Sequence, residues 1–285
     1  MRQDWSKLHS YAGQCKNSLR LGVLSVLACA VAVAPAFALT EEQVADKLNA
    51  VPVFTIMDQK GNPLIITVQD KDKKDQSVLP FFLDQKQVQD TYSNIQKREA
   101  NLAKDSQISV ISLGQAYKLI REEQKNKDSK IAFQFLSDAK TVDYALEVFK
   151  KSETTAKSFP GIPVFYAVGS DEKNKSKGFV TFEKDGKQYV PLFFDEKDIQ
   201  RNVDELKKTK PELAKQMSVE VAPLDSVIGT MLAGKNDKEF EKLTFVPSLT
   251  AIQYLQTIQK PTKGATPEVK PTTPAPAPAK PEGNK

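Results

Sequence analysis

The sequence predicts an α+β fold, internally duplicated into two pseudo-two-fold-related lobes, each a mixed sheet with packed helices. Three observations predict it. A set of phrases returns at a constant spacing of 111 residues, strand-period and helix-period segments alternate within each copy, and both chain ends differ in composition from the body. Val51-Pro52-Val53-Phe54 returns as Ile162-Pro163-Val164-Phe165, and the stretch Leu79–Asp84 returns as Val190–Asp195. Three of four positions in 51–54 and 11 of 35 in 79–113 are identical at that spacing, 14 of 39 together. Unrelated segments of ordinary composition would match at roughly 2 or 3.

The first segment belongs to export rather than to the fold. Arg2, Lys7, Lys16 and Arg20 flank or precede the apolar run Leu21–Val33, and Ala36-Phe37-Ala38 is a small-x-small cleavage signal. The run is shorter than the ~20 residues that span a bilayer. Residues 1–38 therefore read as a cleaved signal peptide. Val26-Leu27-Ala28-Cys29 faintly resembles a lipobox, but Cys29 sits inside the apolar run rather than at its end. Cleavage removes both cysteines, the single histidine and the single tryptophan. Four of the 41 basic and one of the 36 acidic residues leave with it, lowering the formal charge from +5 to +2.

At the other end, 260–285 holds seven prolines, five lysines and two glutamates, with no aromatic residue. Such a segment cannot bury enough apolar surface to offset its ordering entropy, so a disordered Pro/Ala/Lys-rich tail is expected. The body between the ends divides into lobes at 39–150 and 151–259. It is close to neutral, without the concentrated basic face that nucleic-acid binding requires.

Within the first lobe, Thr40-Glu41-Glu42-Gln43 fits a capping box that opens a short helix. Strands follow at Pro52–Met57 and Leu64–Val68 around the Gly61-Asn62-Pro63 turn, and a third at Val78–Leu83 after a charged loop. Asp84 has the chemistry of an N-cap, with Val88, Tyr92, Ile95 and Leu102 at helical spacing behind it. A strand at Ile108–Ile111, a helix at Leu113–Gln124, a strand at Ile131–Leu136 and a helix at Thr141–Lys151 complete the lobe. The second lobe repeats this order. Its strands fall near 163–168, 178–183 and 189–194, followed by a helix carrying Ile199, Val203 and Leu206. Then come a strand at Ser218–Val221, a helix at Leu224–Leu232, a strand at Leu243–Val246 and a last helix from Ser248. An edge-to-edge join of the two sheets would cover edge strands that otherwise stay open.

The mature chain lacks the residues for most catalytic chemistry. Without His or Cys it cannot build a Ser-His-Asp triad, a thiolate nucleophile, a disulfide or a thiolate metal site. No Gly-rich phosphate loop follows a strand. Paired carboxylates and a Ser-Lys pair survive as routes, and the best-placed carboxylates are Asp84 and Asp195. Each stands directly before an amphipathic helix, so capping outweighs catalysis. The run 70–75 alternates sign too evenly for a metal loop. No catalytic, cofactor-binding or metal residue is assigned, and no cofactor is expected.

The aromatic residues form the other constellation. Phe81 and Phe82 are neighbours on one strand and must point to opposite faces, as must Phe193 and Phe194. Either helices cover both faces, or one face exposes an aromatic and each lobe offers an apolar groove for extended or amphipathic peptides. The candidate client-binding residues for such a groove are Phe81, Leu192, Phe54 and Phe165, with Phe82 and Phe193 assigned to the core.

Three features together carry a family resemblance: the signal peptide ending in Ala36-Phe37-Ala38-Leu39-Thr40-Glu41-Glu42-Gln43, the Pro-Val-Phe strand before a hairpin, and Leu79-Pro80-Phe81-Phe82-Leu83-Asp84. They resemble the family of the twenty-two-kilodalton subunit of the chloroplast Tic translocon, and more closely its cyanobacterial homologues. The resemblance covers about 40–258. It implies a soluble two-lobed, non-enzymatic protein between two membranes, with no catalytic residues to carry over. In cyanobacteria it implies a periplasmic chaperone or translocation factor for outer-membrane biogenesis, with a thylakoid-lumen pool and peripheral membrane association both compatible. The implied partners are unfolded outer-membrane precursors and the POTRA domains of the β-barrel insertase. Competing expectations are a carboxylate-based cell-wall hydrolase and an architectural adaptor that binds the insertase by strand addition.

Overall fold

The computed structural model describes residues 38–69, 75–126, 129, 131–171, 176–234 and 238–259. The expected signal peptide (apart from Ala38), the middle of the charged loop at 70–74 and the tail at 260–285 lie outside the described residues. The first half runs α1 (Glu41–Leu48), β1 (Pro52–Asp58), β2 (Ile66–Gln69), β3 (Asp75–Phe82), α2 (Gln85–Arg98), α3 (Ala100–Lys104), β4 (Ser106–Ser112), α4 (Leu113–Glu123), β5 (Ile131–Leu136) and α5 (Ala139–Phe149). The second half runs β6 (Pro163–Asp171), β7 (Ser176–Phe179), β8 (Phe182–Lys184), β9 (Lys187–Phe193), α6 (Glu196–Thr209), α7 (Pro211–Lys215), β10 (Met217–Pro223), α8 (Leu224–Ala233), α9 (Lys238–Lys242), β11 (Leu243–Val246) and α10 (Leu249–Gln259).

Local chemistry sets the helix starts. Thr40 and Gln43 close a capping box: the Thr40 hydroxyl accepts from the Gln43 N–H at 3.2 Å, and the Gln43 side chain accepts from the Thr40 N–H at 2.9 Å. Asp84 caps α2 by accepting from the Gln87 N–H, and Asp195 caps α6 by accepting from the Lys197 N–H, both at 2.8 Å. The helix expected to run on to Leu102 instead stops at Arg98, and a short helix follows. Glu99 leaves helical geometry at φ −136°, ψ 63°, and Lys210 does the same at φ −140°, ψ 67°. In the second half Pro211 disfavours a helical residue before it. The strand expected at 178–183 is also two strands, because the chain changes partner there: β7 pairs with β6, and β8 with β9. Asp185 and Gly186, at φ 52° and 71°, make the tight β8–β9 turn.

The two sheets have the same strand order, β4-β1-β3-β5 and β10-β6-β9-β11, with β2 added to the first and β7 and β8 to the second. Pairing sense agrees throughout, antiparallel except for the parallel β3–β5 and β9–β11 pairs. The register also follows the 111-residue spacing. Phe54 faces Phe82 and Phe165 faces Phe193, while Pro52 faces Ser112 and Pro163 faces Pro223.

The sheets do not join edge to edge as expected. They contribute to one shared core: Val53, Leu79 and Phe81 of the first sheet with Val164, Leu192 and Phe245 of the second, and Leu48, Leu113, Leu224 and Met231 come in from the helices. Burying both inner faces together removes more apolar surface from water than an edge contact would.

The outer faces are covered crosswise. On the first sheet, α2 is joined by α10 from the far end of the chain, with Tyr254 meeting Phe54 edge-on at 5.5 Å. On the second sheet, α6 is joined by α5 from the first half, with Tyr144 against Phe165 at 5.4 Å. Each half thus lends its last helix to the other's sheet. The buried Thr141 of α5 donates its hydroxyl to the buried Glu196 carboxylate of α6, fastening one of these crossings.

Candidate functional site

The four aromatic and aliphatic residues proposed for a groove are all core. Phe54 and Phe165 are fully buried, Phe81 is 1% exposed and Leu192 2%. At these four positions both faces of the sheets are covered, the first of the two alternatives. Phe81 and Leu192 face the shared core, while Phe54 and Phe165 lie under the crossed helices. Leu192 also lines a cavity of about 30 Å³ with Tyr166 and Phe240, room for about one water. Phe82 and Phe193 are buried on the outer faces.

The carboxylates are caps. Burial lifts the Asp195 carboxyl above its ordinary range against the opposing pull of the Lys197 N–H, with the Glu196 and Asp198 charges adding to the rise. Among the described residues no three His, Cys, Asp or Glu side chains gather to hold a metal ion, and no helix is long and apolar enough to cross a membrane.

An opening that the strand and helix periodicity does not mark lies along β5. A cleft of about 470 Å³ is walled by Ile120 of α4 and by Ile131, Phe133 and Phe135 of β5, with Glu123, Gln124, Asn126, Ser129 and Asp225 around them. Residues of β5 alternate between faces. Ile131, Phe133 and Phe135 pack half-buried against the margin of the shared core, Leu136 joins the outer cluster and Gln134 is exposed. Phe81 anchors the wall from beneath, with ring centroids 6.3 Å from Phe133 and 5.1 Å from Phe135.

β5 is also an edge. Among the described residues its only strand partner is β3. The Leu136 carbonyl accepts from the Leu83 N–H at 2.9 Å, so even-numbered residues turn their backbone groups toward β3, and Phe133 and Phe135 turn theirs outward. At the strand's start the Ile131 N–H is taken by the Ser129 hydroxyl at 3.3 Å.

The matching edge in the second half is closed. Leu243 and Phe245 stand where Phe133 and Phe135 stand, but are 4% and 1% exposed. Helix α1 lies beside them, and the Lys47 ammonium donates to the carbonyls of Glu241 at 2.9 Å and Leu243 at 3.0 Å. The approach depends on Gly114, where a Cβ would come within 2.3 Å of the Ala45 carbonyl oxygen. The residue 111 positions later is Asp225, in a matching strand-to-helix step: Leu113 N–H bonds the Val51 carbonyl at 2.7 Å, and Leu224 N–H bonds the Ile162 carbonyl at 2.9 Å. The cleft is thus the second half's counterpart of the α1 seat. The segment that would fill it, 152–159, forms turns and sends Phe159 to the outer cluster against Phe149.

Solved structures share this arrangement of elements. Anabaena Tic22, a protein-transport protein, aligns with TM-score 0.64 and 22% identity over 78% of this chain and 99% of its own. Tic22 from Plasmodium falciparum aligns with TM-score 0.57 and 24% identity over 75% and 96%. At such identities the likeness establishes the fold. No curated protein matches the sequence. The model of the Tic22-like family matches residues 10–259, and the chain belongs to that family.

Proposed function

We propose that the protein is a non-enzymatic periplasmic chaperone or translocation factor for outer-membrane biogenesis. It holds extended precursor segments in the β5 cleft and works with the POTRA domains of the β-barrel insertase. The observation that carries this reading is the cleft itself: half-buried Phe133 and Phe135 beside a strand edge that has no strand partner among the described residues. Such a surface buries apolar side chains reversibly and needs neither nucleotide nor metal. Membership of the family, with a solved neighbour engaged in protein transport, supports a role in translocation. Export by a cleaved signal peptide places the protein in the periplasm in this reading, with a thylakoid-lumen pool and peripheral membrane contact compatible.

The test is suppression of aggregation of an unfolded porin by the mature protein. Phe133→Ser and Phe135→Ser should abolish holding while circular dichroism shows a folded chain. Unimpaired holding by both folded variants would overturn the reading. The free edge also favours an architectural adaptor that binds POTRA domains by strand addition. A pull-down from envelope extract separates the two: POTRA recovery that unfolded porin displaces supports the chaperone, and POTRA recovery without any holding supports the adaptor.

A further inference from the structure

The geometry points to the mode of binding: an extended segment adds to the free edge of β5 as one more strand of the first sheet. Its apolar side chains alternate with polar ones, and a basic residue sits beside Glu123 and Asp225. This inference rests on the cleft reading above and specifies the conformation and chemistry of what enters.

Four observations carry it. First, the outward groups of β5 (the N–H of Phe133 and Phe135, and the carbonyls of Ile131, Phe133 and Phe135) have no partner among the described residues, which is the template for strand addition. Second, the two faces of β5 differ. Phe133 and Phe135 form, with Ile120 and Ile131, the apolar wall of a cleft whose rim is polar, while Gln134 looks the other way to solvent, so an added strand meets that apolar wall with every second side chain. Third, a helix seated like α1 is excluded. Its carbonyls would fall on Asp225, where the first half has a glycine and where a carboxylate repels a helix C-terminus. Fourth, Glu123 and Asp225 are the charged groups among the described lining residues, and both are acidic. A second copy adding its own β5 edge would bring acid against acid, whereas a segment with a lysine or arginine at its end is complementary.

The alternating pattern is that of a membrane-spanning β-strand, apolar on one side and polar on the other. Such strands expose unpaired backbone until they are inserted, so their own edges need a temporary partner.

The probe is a peptide of about ten residues alternating Val and Thr with lysine at each end. Binding to the mature protein is measured by fluorescence anisotropy alongside peptides N-methylated at every Val or at every Thr. Strand addition requires that one methylated set binds roughly tenfold weaker or worse while the other binds as the parent. Loss in the Val set reports antiparallel addition, and loss in the Thr set parallel addition. Equal binding by both sets, or equal weakening of both, would overturn the proposal by showing that side chains alone are held. A helical signal in the bound peptide would also overturn it. In the rim variant Glu123→Gln with Asp225→Asn, affinity for the lysine-ended peptide should fall about threefold to tenfold at low salt, and a serine-ended peptide should be unaffected. An unchanged lysine-ended affinity would remove the basic-residue requirement. Porin holding is measured in the same preparations. Holding that persists while the alternating peptide fails to bind defeats strand addition alone, and absence of holding defeats the chaperone reading itself.

Discussion

Beside β11 the chain lays α1 across the sheet edge, whereas beside β5 no described residue covers the equivalent ground. The strands, registers and strand-to-helix steps agree between the halves, so the difference does not come from topology. It comes from a few side chains. Gly114 lets a helix backbone in, Lys47 ties off the Leu243 carbonyl, and Val44 and Leu48 fill the space beneath. In the other half Asp225 replaces the glycine, and the stretch 152–159 turns away to bury Phe159 elsewhere. A repeated fold can thus keep one copy of a seat as structure and free the other for binding.

The largest effects should come from the buried side chains on the two faces of the sheets, Phe81 and Leu192 in the shared core and Phe54 and Phe165 under the crossed helices. Phe81→Ala, Phe54→Ala and Phe165→Ala should each cost about 3–5 kcal/mol, and Leu192→Ala about 2–5 kcal/mol, in urea unfolding. A folded, fully stable Phe81→Ser protein that had lost only client holding would return Phe81 to the binding surface and break the comparison.

Next come the seats themselves. Gly114→Ala drives a methyl into the Ala45 carbonyl and the Asn49 side chain, and should cost about 1–3 kcal/mol. Asp225→Ala, at the matching position, should stay within about 0.5 kcal/mol. Equal losses at the two sites, measured by thermal unfolding, would show that the open seat is packed after all.

Lys47 sharpens the same contrast. Lys47→Met strips the donor from two edge carbonyls and should cost roughly 1–2 kcal/mol. Burial holds the Lys47 ammonium below its ordinary range, so the unfolded chain keeps this proton to higher pH than the folded one. Stability from this group therefore rises as pH climbs toward 10.5, and Lys47→Met should flatten that rise in unfolding measured across alkaline pH.

The smallest effect belongs to the caps. The folded-state Asp195 carboxyl is raised, so its contribution declines as pH rises from 3.8 through the raised value. Asp195→Asn keeps the acceptor for Lys197 and removes that decline, leaving neutral-pH stability within about 0.5 kcal/mol of the parent. Asp195→Ala should cost about 0.5–2 kcal/mol. A hydrolytic activity lost in the Asn variant would revive the carboxylate enzyme.

Much of this was legible in the residues. Thr40 with Gln43, and Asp84 and Asp195 before their helices, announce themselves because a cap is a local hydrogen bond. The 131–136 and 243–246 strands fall where their apolar patterns end. The breaks at Glu99 and Lys210 are less visible, since apolar spacing continues across them to Leu102 and Leu213. The shared core and the crossed helices depend on contacts between distant segments, which periodicity does not encode. The open seat did leave a trace. Set against the EEQVADKL of α1, the SETTAKSF of 152–159 carries only Ala156 and Phe159 as apolar residues, and Asp225 stands against Gly114.

The crossing of α5 and α10 bears on the order of events in time. A chain emerging N-terminus first presents all of the first sheet long before the 11 residues of α10 appear. Until then Phe54 lacks its Tyr254 lid, and the outer face of that sheet stays half covered. Completion of the first half therefore waits on the end of the second. Truncation before Leu249 would leave a chain that looks nearly whole in length yet lacks a wall on the side opposite the missing residues' own sheet.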